Sequence, residues 1–114
     1  IQDILVSAVE ANASDIIFRT GDPAWIRVHA AWHPCTQKIL SDSEMVTIAN
    51  IIGSSNDIAT RILSGTDLDF AYEVRVSREH KQRFRVNGTA CKYGMSSGIS
   101  MTLRPSRSAN CSKP

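Results

Sequence analysis

Between Arg83 and Asn87 the chain alternates without a break, Phe84 and Val86 pointing one way and Arg83, Arg85 and Asn87 the other. A repeat of two residues is the period of a β-strand with one face against a core and the other in water. Further along, Ile99, Met101 and Leu103 alternate with Ser100, Thr102 and Arg104 in the same way. The turn-forming cluster Gly94-Met95-Ser96-Ser97-Gly98 lies between them, so the second strand is predicted to return antiparallel to the first. With the turn centred near Met95 and Ser96, Arg104 falls opposite Asn87 and diagonal to Arg85, about 7–8 Å away. Two guanidiniums on the polar face of one hairpin suit a phosphate. On pattern alone, two solvated surface arginines are the commoner outcome, since charged side chains mostly stay exposed.

The rest of the chain reads as helices and strands that supply a core to this hairpin. Ile1, Ile4, Leu5, Ala8 and Val9 recur at helical spacing, predicting a helix to about Ala11 with Asn12 in a left-handed stop. Asp15 is expected to accept from backbone donors in the turn that follows. Ile16 and Phe18 alternate with Ile17 and Arg19 in a first strand. After the turn Gly21-Asp22-Pro23, Ile26, Val28 and Ala30 alternate with Arg27 and His29 in a second. Ser41 with Glu44 predicts a capping box ahead of a helix whose apolar face is Met45, Ile48, Ala49 and Ile52, stopped by Gly53. A further helix turns Ile58, Ile62 and Leu63 inward and stops at Gly65. Leu68, Phe70, Tyr72 and Val74 then alternate with Asp67, Asp69, Ala71, Glu73 and Arg75, and Ser77 to Gln82 is a charged connection back to Arg83. Trp25 and Trp32 are expected to pack in the core or an interface rather than to stack on a ligand.

A chain of 114 residues with 42% apolar and 21% charged content is expected to form one globular domain. Its net charge of +2 is too small to imply nucleic acid or a membrane surface. No apolar run approaches the ~20 residues that span a bilayer. The chain starts at Ile1 without a charged stretch leading into an apolar one, so no signal peptide is expected. Cys35, Cys91 and Cys111 have no CxxC spacing and are predicted to be reduced, with Cys111 in the tail the most reactive. His29, His33 and Cys35 form H-x3-H-x-C, with His29 on a strand and His33 in a turn around Pro34; without a fourth ligand, no metal site is expected. No G-x-x-x-x-G-K-[ST] phosphate loop occurs and no Walker B strand is evident, so this chain alone is predicted to have no enzymatic activity. Asp67, Asp69 and Glu73 read as a solvated strand face rather than an acid–base set.

The segment Arg83-Phe84-Arg85-Val86-Asn87, with Ser64 to Val74 (SGTDLDFAYEV) before it and Leu103-Arg104-Pro105 after it, resembles the N-terminal domain of the secretion ATPases. This superfamily includes the pilus-retraction ATPase PilT and the type IVB secretion and conjugation members DotB and TraJ, to which the likeness is closer. Ala13-Ser14-Asp15-Ile16, Gly21, Pro23, Arg27 and Trp32-His33-Pro34 extend the similarity over nearly the whole chain. Ala30-Ala31-Trp32 replaces the family's turn with Gly, which argues against a tight turn of positive backbone angle there.

The resemblance implies an α+β fold, a PAS-like antiparallel sheet with helices packed on one face, over residues 1–105. Residues 106–114 would be a linker or disordered tail toward a RecA-like ATPase domain absent from this chain. The implied parent is a homo-hexameric cytoplasmic ATPase that powers type IV secretion or plasmid conjugation at the inner membrane and uses ATP and Mg. This chain would hold no cofactor of its own. Its partners would be the RecA-like domains of the same and neighbouring subunits and the secretion machinery. Arg85 and Arg104 match positions that contact nucleotide phosphates; Arg83 and Arg27 are weaker candidates, and Arg83 is also placed to pair with a carboxylate on the neighbouring strand. An alternative is a freestanding PAS-like sensor or protein-interaction module without ATPase activity. Nucleic-acid binding through Arg83, Arg85, Lys92, Arg104 and Arg107 is not expected, because Phe84 faces the core and leaves only Tyr93 to stack on a base.

Overall fold

Helix α1 spans Gln2–Glu10 and turns Leu5 and Ala8 fully inward. It ends as expected: Asn12 takes φ 60, Asn12 N–H bonds Val9 C=O and Ala13 N–H bonds Ala8 C=O, the paired bonds of a Schellman cap. The computed structural model describes residues 2–93 and 95–106; Cys111 and Arg107 lie outside them. Six strands follow in an all-antiparallel sheet: β1 Asp15–Arg19, β2 Trp25–Val28, β3 Ala31–Pro34, β4 Leu68–Arg75, β5 Lys81–Tyr93 and β6 Ser96–Pro105. Their spatial order is β3-β2-β1-β6-β5-β4. With α1, the helices α2 (Asp42–Gly53) and α3 (Ile58–Leu63) cover one face of this sheet, an α+β architecture.

The core lies between that face and the helices. Phe84 and Val86 of β5, Ile99, Met101 and Leu103 of β6, and Ile16 and Phe18 of β1 meet Leu5, Met45, Ile52 and Ile62 from the helices, all at 2% exposure or less. Gly88 permits the close approach of α3, because a Cβ there would stand 2.9 Å from Ile62 Cδ1. Among the described residues no helix is long and apolar enough to cross a membrane.

The β2–β3 hairpin corrects the sequence reading. Val28 pairs with Ala31, leaving His29 and Ala30 as a two-residue turn at φ 51 and 65. The tight turn that the missing Gly argued against is therefore present, in non-glycine residues. Two-residue hairpins favour positive φ at both central positions because that twist matches the strands, and pairing on both sides holds the turn against its local cost. His29 thus lies in the turn and His33 on strand β3, the reverse of expectation. Pro34 is accommodated because β3 is an edge strand. An L-residue in the left-handed region costs roughly 1–2 kcal/mol, of which glycine's freedom in the unfolded chain cancels about 0.5–1 kcal/mol. Ala30→Gly is expected to raise stability by about 0.5–1 kcal/mol, read from the urea midpoint.

Helix α2 carries the predicted capping box. Ser41 N–H donates to Glu44 Oε1 at 2.9 Å, and Glu44 N–H donates to Ser41 Oγ at 3.2 Å. The Ser41 backbone N–H, then the Ser41 hydroxyl, hold the Glu44 carboxyl below its ordinary value of 4.5. A carboxylate with a lowered folded pKa stabilises fully above the unfolded value and loses that contribution as pH falls through the folded one. The stability gap between the parent and Glu44→Ala should be constant near neutrality and shrink in acid, measured by urea unfolding at pH 7 and pH 3.

The end of α2 differs from expectation. Gly53 is its last helical residue and Ser54 takes the left-handed cap at φ 55. A side chain at Gly53 would be driven into Ile58, so glycine serves the packing of α3 against α2 instead of the stop. In α3, Ile58, Ala59 and Ile62 are buried, whereas Leu63 is exposed rather than inward. Leu63 lies one 100° step past Ile62, beyond the narrow stripe that so short a helix buries. Gly65, at φ 106, follows α3 as predicted.

Candidate phosphate site on the open sheet face

The face of the sheet opposite the helices is lined by the polar halves of the alternating strands. One row of it crosses all six strands. Ala71 on β4 pairs with Arg85 on β5, which pairs with Arg104 on β6. The β1–β6 ladder, in which Ile16 pairs with Leu103, brings Asp15 beside Arg104. Asp15 pairs with Arg27 on β2, and Arg27 with Trp32 on β3.

Arg104 therefore lies directly opposite Arg85, and not opposite Asn87, whose partner is Thr102. The expected register is off by two residues because Tyr93 pairs with Ser96, so the strands run on into the turn-forming cluster. Gly98, read as turn, is a strand residue lying against Thr20, whose Oγ1 accepts from Ile99 N–H at 3.0 Å. The correction brings the two guanidinium-bearing side chains closer than the diagonal placement would. Like charges directly opposite in a ladder repel unless something compensates them.

Asp15 provides half of that compensation. Its side chain is only 12% exposed, and Arg104 Nε donates to its Oδ1 at 2.8 Å. Ser14 Oγ donates to Oδ2 at 2.9 Å, and Arg27 Nη1 stands 3.8 Å from the same oxygen. Arg27 also lies over the Trp32 ring, 5.8 Å from its centroid. The partners of Asp15 are thus side chains, in place of the backbone donors expected from the turn. Arg85, by contrast, is exposed, and no carboxylate among the described residues lies within 4.0 Å of it. Arg83 sits opposite Glu73, but no ion pair within that distance joins them.

Arg85 and Arg104 line one concavity of about 360 Å³ with Asp69, Val86, Asn87 and Thr102. Asn87 Nδ2 donates to Asp69 Oδ1 at 3.1 Å, and Thr89 Oγ1 donates to Asp67 Oδ1 at 2.7 Å. Asp69 on β4 and Asp67 just before it are thus held by uncharged neighbours, and neither forms an ion pair with Arg85. The side chain of Arg104 is 70% exposed despite its bond to Asp15, so the outer end of its guanidinium remains open to an anion. Arg83 falls outside this concavity, and Arg27 joins it only through Asp15. Trp25 and Trp32 both lie on this open face, partly exposed, and neither belongs to the core.

No protein-family model and no curated protein matches the sequence. Solved structures do. The ATPase DotB of Legionella pneumophila superposes on 90% of this chain with a TM-score of 0.84 and 37% identity. The chain is similar over nearly its whole length to part of a DotB ATPase, and an N-terminal domain of the DotB/PilT-like secretion ATPases fits it. The ATPase DotB of Yersinia pseudotuberculosis (TM-score 0.83, 20% identity, 91% of this chain) and the pilus retraction motor PilT with bound ADP (0.68, 24%, 96%) share its fold. The chain spans 27% of the Legionella DotB chain and 29% of each of the other two.

In this DotB-like domain Cys35 and Cys91 are unpaired, and burial pushes both thiols up from their ordinary value. Among the described residues no three or more His, Cys, Asp and Glu side chains come together as a metal site would need.

Proposed function

We propose that this domain is the N-terminal part of a subunit of a homo-hexameric cytoplasmic ATPase that powers type IV secretion or conjugation. In this proposal Arg85 and Arg104 contact the phosphates of ATP held by a RecA-like domain of the same or a neighbouring subunit. The observation that carries it is the opposed pair of guanidiniums around one open concavity, Arg85 without a carboxylate partner, in a chain 37% identical to a DotB ATPase. Two arginines lining one concavity can supply several charge-assisted donors to one phosphate, an arrangement suited to stabilising charge as it develops. Mg and most phosphate contacts would come from the RecA-like domain, since this chain has no phosphate loop. Subunit contacts in the ring and docking on the secretion machinery at the inner membrane would fall to the remaining surfaces.

The test starts with the coding sequence beyond Pro114. A G-x-x-x-x-G-K-[ST] loop within the next ~50–100 residues, about the start of a further domain, is expected. The protein containing it should hydrolyse ATP with Mg, while the 114-residue chain alone should not exceed a contaminant control. An immediate stop codon would favour the alternative, a freestanding interaction module.

A further inference from the structure

We infer that Asp15 is a positioning residue for Arg104, setting the guanidinium in the orientation that receives phosphate; this rests on the phosphate-contact role proposed above. Arg104 Nε, the inner nitrogen of the fork, donates to Asp15 Oδ1 at 2.8 Å. Anchoring the guanidinium by that nitrogen leaves its two terminal NH₂ groups for a ligand, and the 70% exposure of the side chain keeps them accessible. Asp15 is itself held. The residue begins the central strand β1, its side chain is 12% exposed, and its other oxygen receives the Ser14 hydroxyl, with Arg27 3.8 Å away. Arg85 has no such anchor. Without Asp15, Arg27, Arg104 and Arg85 would form an unbroken row of positive charge, and Arg104 would swing away from its neighbours. A tethered guanidinium loses less freedom when it grips phosphate than a free one.

The test compares ATP turnover by full-length proteins carrying Asp15→Ala, Asp15→Asn, Arg104→Ala and Asp15→Ala with Arg104→Ala. Each is first shown to retain the parental circular dichroism spectrum at the assay temperature. Asn keeps an oxygen acceptor for Nε and should stay within about threefold of the parent. Asp15→Ala should slow turnover about tenfold, as misplaced catalytic groups commonly do. Adding it to Arg104→Ala should cause no further loss, because groups acting as one unit are not additive. The Arg104 Nε–Hε signal in the 114-residue chain should also exchange faster with solvent in Asp15→Ala than in Asp15→Asn. Parental turnover by folded Asp15→Ala, beside a slow Arg104→Ala, would overturn the positioning role and leave the phosphate contact standing. So would losses that multiply in the double variant. Parental turnover by Arg104→Ala would instead overturn the phosphate contact, and the positioning role with it.

Discussion

Replacing Arg85 or Arg104 by Ala in the full-length ATPase is expected to lower ATP turnover at least tenfold in each case. Where an arginine stabilises charge on a transferring phosphoryl group, its contribution in other nucleotide hydrolases is roughly 10³–10⁵ in rate. One that only positions nucleotide contributes less, which sets the lower bound. Because the two side chains oppose each other across one concavity, the double variant should be little slower than either single one. Their effects on stability should differ. Arg85 is exposed and unpaired among the described residues, so its loss should change stability by only about ±0.5 kcal/mol. Arg104→Ala removes the 2.8 Å partner of an acidic side chain that is 12% exposed. That should cost about 1 kcal/mol, the low end for a buried polar group losing a partner, since Ser14 and Arg27 remain near Asp15. Steady-state kinetics and urea unfolding of the same preparations separate the two effects.

Phe84→Ala should do the reverse. Phe84 is fully buried between the arginines that flank it in sequence, and removing a buried phenylalanine side chain typically costs 3–5 kcal/mol. A domain of this size has a total stability of roughly 5–15 kcal/mol, so the variant should be close to unfolding at ambient temperature. A fall in the urea midpoint no larger than that of Arg85→Ala would show that β5 does not turn Phe84 into the core.

The contrast between these neighbours was legible in the sequence because alternation assigns every side chain of a strand to a face. The register was not. A shift of two residues leaves each side chain on its original face, so Phe84, Met101 and Leu103 face the core under either pairing, and only the choice of turn within Gly94 to Gly98 decides between them. The Asp15–Arg104 bond joins residues 89 positions apart and depends on β1 docking beside β6, which no local pattern reports. The turn at His29 and Ala30 escaped for another reason: neither residue is the Gly or Asn by which such turns are usually recognised, and strand pairing imposes the conformation. The capping box of Ser41 and Glu44, by contrast, is a local signal between residues three apart, and it is present as read.

The phosphate contact is tested most directly by the structure of the full-length protein with Mg and a non-hydrolysable ATP analogue. A guanidinium nitrogen of both Arg85 and Arg104 should lie about 2.7–2.9 Å from phosphate oxygens of one nucleotide, the length of a charge-assisted hydrogen bond. Nucleotide bound with both arginines turned to solvent would contradict the account.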